Sequence, residues 1–136
     1  MNLCKITVLL GASLMLLTGC QSKNDPNDAK KKLEENGYIV NVLIPEEYQK
    51  TETVKSIPAT DGLEYYLNAG KIETSDFLFA WYFDSFESAS SFFDAHTRDF
   101  FEMMQVFENK GAYGTYNNTV YVGTETASKD SGLNTL

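Results

Sequence analysis

Thiols and imidazoles are almost missing from this chain. Its 136 residues hold two cysteines, Cys4 and Cys20, and one histidine, His96. A structural zinc site needs four nitrogen or sulfur ligands, and this inventory does not supply them. A Ser-His-Asp triad would have to recruit His96, and no Gly-x-Ser-x-Gly elbow is present. The glycines form neither a phosphate loop nor a dinucleotide fingerprint. No cofactor or metal is expected. Positive charge is also scarce: 11 Lys and Arg face 19 Asp and Glu, a net −8. That balance argues against nucleic acid and against broad adhesion to anionic lipid heads. The one basic cluster, Lys30–Lys32, precedes Glu34 and Glu35 and reads as a solvated helix face. A long hydrophobic run is lacking too. The apolar stretch Ile6–Leu17 falls short of the about 20 residues needed to cross a bilayer.

What the amino end does have is a graded pattern. Met1–Lys5 is mildly positive, Ile6–Leu17 is apolar, Thr18 and Gly19 are small, and Cys20 is followed by the polar run QSKNDPND. A positive zone, an apolar zone of roughly 7–15 residues and small residues at a cleavage point describe a secretory signal peptide. The four residues Leu17-Thr18-Gly19-Cys20 resemble the lipobox of bacterial lipoproteins. In that family the cysteine receives a diacylglycerol and becomes the first residue of the mature chain. The resemblance implies a signal peptide at 1–19, a lipidated Cys20 with a polar tether at 20–25, and an extracytoplasmic body held at the cell membrane by two acyl chains. One acyl chain anchors only marginally; two anchor stably. Losing residues 1–19 removes both Cys4 and Lys5, so the body carries −9 and no free thiol. Residues 26–136 are expected to form one domain, large enough for its own core.

Along that domain the pattern alternates between helix and strand. Asp25 or Asn27 can cap a short helix with Pro26 in its first turn, Ala29 and Leu33 on its apolar stripe and Gly37 at its end. Tyr38–Ile44 is a β-branched strand closed by Pro45. Glu46–Asp61 shows no period and reads as a long loop with a helical turn near Glu46–Lys50. Gly62–Gly70 alternates, with Leu63, Tyr65, Leu67 and Ala69 on one side and Glu64, Tyr66 and Asn68 on the other. In Asp76–Asp84, Phe77, Phe79, Trp81 and Phe83 share one face, and Leu78, Ala80 and Tyr82 the other. Both faces are apolar, which predicts a central strand. Ser85–Lys110, capped by Asp84, reads as a long amphipathic helix whose stripe is Phe86, Ala89, Phe93, Phe100, Met104 and Phe107, flanked by Phe92 and Met103. Ala112–Gly123 is a hairpin turning at Asn117-Asn118. Thr124 caps a last short helix at Glu125–Asp130, ended by Gly132. The expected fold is α+β: an antiparallel sheet of four or five strands, the long helix on one face, and short helices at both ends of the domain. With its Gly-Tyr strand opening at 37–38 and the WYFDSFESA stretch at 81–89, the body is similar in outline to small, largely uncharacterised lipoproteins of Gram-positive bacteria. That likeness brings no catalytic residues with it.

Few residues invite chemistry. His96 lies on the helix stripe between Phe93 and Phe100 and reads as a core-edge histidine with one hydrogen bond. The carboxylates Glu46, Glu47, Asp76, Asp84 and Glu87 sit near strand ends or loops. A working pair would need about 5–9.5 Å between carboxyl groups. The eight tyrosines are more distinctive. Tyr66 and Tyr82 are expected on the sheet side opposite Leu63 and Trp81, joined by Tyr121, either covered by the first helix and the long loop or exposed as a contact surface for a ligand or partner. The favoured reading is a membrane-anchored, non-catalytic binding or interaction module of the cell envelope, with an envelope protein or small ligand as partner. The alternative is a small carboxylate-dependent hydrolase acting on an envelope substrate.

Overall fold

The computed structural model describes residues 22–58, 60–105 and 110–135. The signal segment, Cys20 and Phe107 lie outside the described residues. Helix α1, Pro26–Glu35, starts as the sequence predicts: the Asp25 side chain accepts from the Asn27 N–H, and Pro26 occupies the first turn. Ala29 and Leu33 are its buried stripe. Gly37, at φ +89°, turns the chain out of the helix in a conformation that side chains disfavour. Strand β1 is Ile39–Leu43.

The segment after Pro45 is more ordered than its irregular sequence suggests. It holds two one-turn helices, α2 at Pro45–Tyr48 and α3 at Thr53–Ser56. The Ile44 N–H donates to Glu47 Oε1, which starts α2. Tyr48 then locks the segment down. Its hydroxyl donates to the Ile57 carbonyl at 2.6 Å and accepts from Trp81 Nε1 at 3.1 Å.

Strands β2, Leu63–Lys71, and β3, Asp76–Phe83, follow, then helix α4, Phe86–Met104. The N-cap of α4 is Ser85, whose hydroxyl accepts from the Ser88 N–H, not the predicted Asp84. The Asp84 N–H is taken by the Gly62 carbonyl, so Asp84 still belongs to the end of the sheet. Strands β4, Gly111–Tyr116, and β5, Thr119–Thr124, make the predicted hairpin, with Asn117 at φ 55°. Helix α5, Glu125–Asp130, is capped by Thr124.

The five strands are all antiparallel, in the order β1-β2-β3-β5-β4. This is the expected α+β fold, with helices on both faces of the sheet. One face carries α1 and α5 over Leu67, Leu78, Ala80, Tyr82 and Tyr121. The other carries α4 and the 45–58 segment over Tyr66, Trp81, Phe83, Val120 and Val122. Trp81 is fully buried and is the hub of that second face. Its ring lies 5.4–5.5 Å from those of Tyr66, Phe92 and Phe100. The buried side of α4 is Ala89, Phe92 and Phe100, while Phe86 keeps 39 % of its surface. His96 is a core-edge residue: Nδ1 is 2.9 Å from Asp99 Oδ2, and its ring packs 4.8 Å from that of Phe92.

Candidate functional site

The register settles where the tyrosines go. Tyr66 pairs with Trp81, and Leu67 with Ala80. Tyr66 therefore shares a face with Trp81, contrary to expectation, while Tyr82 and Tyr121 lie on the other face. All three are buried, with 1 %, 1 % and 6 % of their surface exposed. They form no common contact surface. Tyr66 accepts or donates a bond with Thr53 Oγ1 at 3.2 Å, and its ring sits under the 45–58 segment. The expected alternation holds in β3 and from Tyr65 to Ala69, while a bulge between Leu63 and Tyr65 moves Leu63 to the Trp81 face. The sequence pattern did not assign how two strands meet.

The candidate carboxylates Asp76 and Asp84 stand far apart. Asp76 is buried at one end of β3, where it accepts from the hydroxyls of Thr74 and Thr124 at 2.6 and 2.7 Å. Asp84 follows the opposite end of the same strand, about 26 Å away at 3.3 Å per residue. Glu47 is bound to the start of α2. No group of three or more His, Cys, Asp or Glu able to hold a metal occurs among the described residues. None of the helices among the described residues is long and apolar enough to cross a membrane.

Of the concave features among the described residues, two concern the open sheet face and the buried tyrosines. The first was not foreseen. Helix α4 lies over β3, β5 and β4, and the 45–58 segment covers the half of β1 and β2 next to Leu43 and Leu63. The other half of β1, β2 and β3 on this face stays open. It forms a shelf of about 480 Å³ lined by Ile39, Asn41, Asn68, Gly70, Phe77 and Phe79. Ile39 keeps 67 % of its surface and Phe77 43 %, and Ile72 at the rim keeps 84 %. Lys71 is the one charged residue in its lining. The shelf continues the buried aromatic row, since the rings of Tyr66 and Phe79 stack at 6.4 Å. It is bounded by β1, an edge strand with a single ladder partner. Edge strands are usually blunted by charge, proline or a bulge. Ile39-Val40-Asn41-Val42-Leu43 has none of these.

The second is a small cavity of about 190 Å³ between α1 and the chain after α5, lined by Asp25, Asp28, Ala29, Tyr82, Ser131 and Leu133 among others. The Tyr82 hydroxyl is buried and has no hydrogen-bond partner among the described residues. Burial, and then the carboxylates of Asp25 and Asp28, push its pKa well above the usual phenol value. An unsatisfied buried hydroxyl costs about 1–3 kcal/mol. Tyr82→Phe is therefore expected to raise stability by about 1 kcal/mol in chemical denaturation. A loss of stability would show that the hydroxyl is satisfied in solution.

Fold and site together define an α+β protein with a helix-covered sheet and a bare apolar shelf among the described residues. Comparison with family models, with curated proteins and with solved structures finds no match in any of the three.

Proposed function

We propose that this chain is a membrane-tethered, extracytoplasmic binding protein without catalytic activity. Cys20 carries a diacylglycerol, and the shelf beside β1 receives an extended apolar segment of an envelope protein. The lipobox-like Leu17-Thr18-Gly19-Cys20 supports the anchor. The observation that carries the reading is the pairing of an unblunted edge strand with an apolar shelf on its inner side. An added strand gains main-chain hydrogen bonds from the edge and side-chain contacts from the shelf, which is how sheets recognise peptides. A second copy of the chain is the less suitable occupant, because two bodies of net −9 repel one another.

Two substitutions test the halves separately. Cys20→Ser is expected to abolish fatty-acid labelling and release the protein from membranes; unchanged labelling and sedimentation would remove the anchor. For the shelf, a photo-crosslinker at Ile39 in living cells is expected to join one envelope protein through an extended apolar peptide. Phe77→Asp, at a position that keeps 43 % of its surface, should abolish that crosslink while the circular dichroism melt stays within about 0.5 kcal/mol. Crosslinks confined to a second copy, or crosslinks indifferent to Phe77→Asp, would defeat the assignment.

A further inference from the structure

The chain is fastened to the body as soon as it leaves the proposed anchor. The Asn24 N–H donates to Asn118 Oδ1 at 2.6 Å. Asn24 Nδ2 donates to the Tyr116 carbonyl at 2.7 Å and to Thr119 Oγ1 at 2.9 Å. Asn117 Nδ2 donates back to Asn24 Oδ1 at 3.3 Å. Lys23 pairs with Glu64 at 2.8 Å. The polar tether predicted to run through residue 25 thus ends at Lys23. Only residues 21–23 separate Cys20 from Asn24, so a fully extended chain spans at most about 14 Å between them.

The strand register shows what lies at that fastening point. Tyr65 pairs with Tyr82, Tyr82 with Thr119, and Thr119 with Tyr116. Leu43 pairs with Tyr66, which sets Ile44 beside Tyr65. One row therefore crosses the whole sheet at this end. Its outer members are exposed: Ile44 44 %, Tyr65 40 % and Tyr116 38 %. Phe86, at the start of α4, adds a fourth apolar side chain at the same end. Phe77 and Ile39, which line the shelf, lie at the other end.

We propose that this end of the sheet rests in the headgroup layer of the bilayer, with Ile44, Tyr65, Phe86 and Tyr116 as its contact residues. The inference rests on the lipid anchor proposed above. Polar headgroups occupy about 5–8 Å on each side of the hydrocarbon. A leash of about 14 Å leaves little room for the clasped end to stand clear of that layer. Tyrosine rings suit it, because they carry an apolar body and a hydrogen-bonding tip. The charges at this end do not suit an anionic surface. Asp25, Asp28, Glu64, Asp84 and Glu87 outnumber Lys23 and Lys32. The contact is thus apolar and favours zwitterionic lipid. It also holds the shelf about 17 Å further out, at five strand residues from Tyr82 to Phe77, facing the envelope.

The test uses the full, lipidated protein on phosphatidylcholine vesicles carrying a shallow nitroxide quencher. Tyr65→Trp and Tyr116→Trp report on the near end, Ile72→Trp on the far end, and buried Trp81 is a constant background. The near-end reporters are expected to lose emission and shift to the blue, while Ile72→Trp changes little. Hydrogen exchange on the unsubstituted protein gives the second measurement, with slowing expected near 44–46 and 64–66 and none at 72–77. Protein that floats with the vesicles but shows near-end emission and exchange equal to the far end overturns this orientation and leaves the anchor standing. Stronger quenching on phosphatidylglycerol than on phosphatidylcholine overturns it as well. Protein with intact Cys20 that takes no lipid and fails to float overturns the anchor and the orientation together.

Discussion

Replacing Gly123 by alanine is expected to destabilise this protein by about 3 kcal/mol or more, enough to leave much of it unfolded at warm temperatures. Gly123 sits in β5, between Leu78 of β3 and Ala112 of β4. A Cβ there would run into the Phe77 carbonyl and the Leu78 Cα. These are backbone atoms of the central strand, so no side-chain rotation relieves the clash. The only escape is to push β3 and β5 apart, and that breaks the ladder on which both cores are built. It would also disturb Thr124, whose hydroxyl donates to buried Asp76. Gly70→Ala is the control. Its Cβ would meet the Phe77 ring at 3.7 Å and the Asp76 carbonyl at 4.0 Å, both ordinary contacts. Thermal melts of the two variants should differ widely; equal melts would mean that close approach at Gly123 is not a constraint.

Much of the fold was legible because it rests on local chemistry. Period-two alternation in Tyr65–Ala69 and Phe77–Phe83 marked two strands and their faces. Caps at Asp25 and Thr124 and the Asn117-Asn118 turn marked element ends. What failed depended on partners distant in sequence. The two faces of β3 were separated correctly, but in β2 a bulge between Leu63 and Tyr65 puts Leu63 on the Trp81 face, apart from Leu67 and Ala69. Tyr66 falls on the face opposite to the expected one, because a one-residue choice in pairing exchanges every side chain between faces. Nothing in the connection Ile72–Ser75 states that choice. Helix α3 is four residues of TVKS, too short for a period. Asn24 looked like tether because its clasp lies 94 residues downstream in Asn118.

The shelf escaped the sequence for a related reason. Phe77 and Phe79 have the composition of core residues. Whether they are covered depends on which strands α4 crosses, and that depends on strand order. With β5 and β4 beyond β3, the long helix follows them and leaves β1 and β2 to the 45–58 segment. That segment is only long enough to cover half of their length. An exposed apolar surface here is thus a consequence of topology, and composition alone carries no sign of it.

Alkaline conditions are expected to unfold the protein cooperatively between pH 10 and about 12, because the two cores are floored with phenols that must stay neutral. A tyrosine ordinarily ionises near pH 10. Burial pushes Tyr48 up to about 12, against a smaller opposite effect of the Trp81 hydrogen bond. Burial raises Tyr66 and Tyr82 further. Tyr38 is raised by burial and by donating to Asp130 at 2.9 Å, a bond that needs its proton. Each of these groups has a folded pKa above its unfolded one. The stability they support is complete below pH 10 and is lost as pH climbs through the folded values, since the unfolded chain releases its phenolic protons first. Tyr48 matters most to the 45–58 segment, because its hydroxyl both donates to Ile57 and accepts from Trp81; as a phenolate it could no longer donate. Tyrosinate absorbance and circular dichroism recorded together should therefore move in one late, steep transition. Tyr82→Phe should shift the steep phase upward. Smooth titration of all the tyrosines near pH 10, with the circular dichroism unchanged, would show that these phenols are not buried in solution and that the two-sided core is wrong.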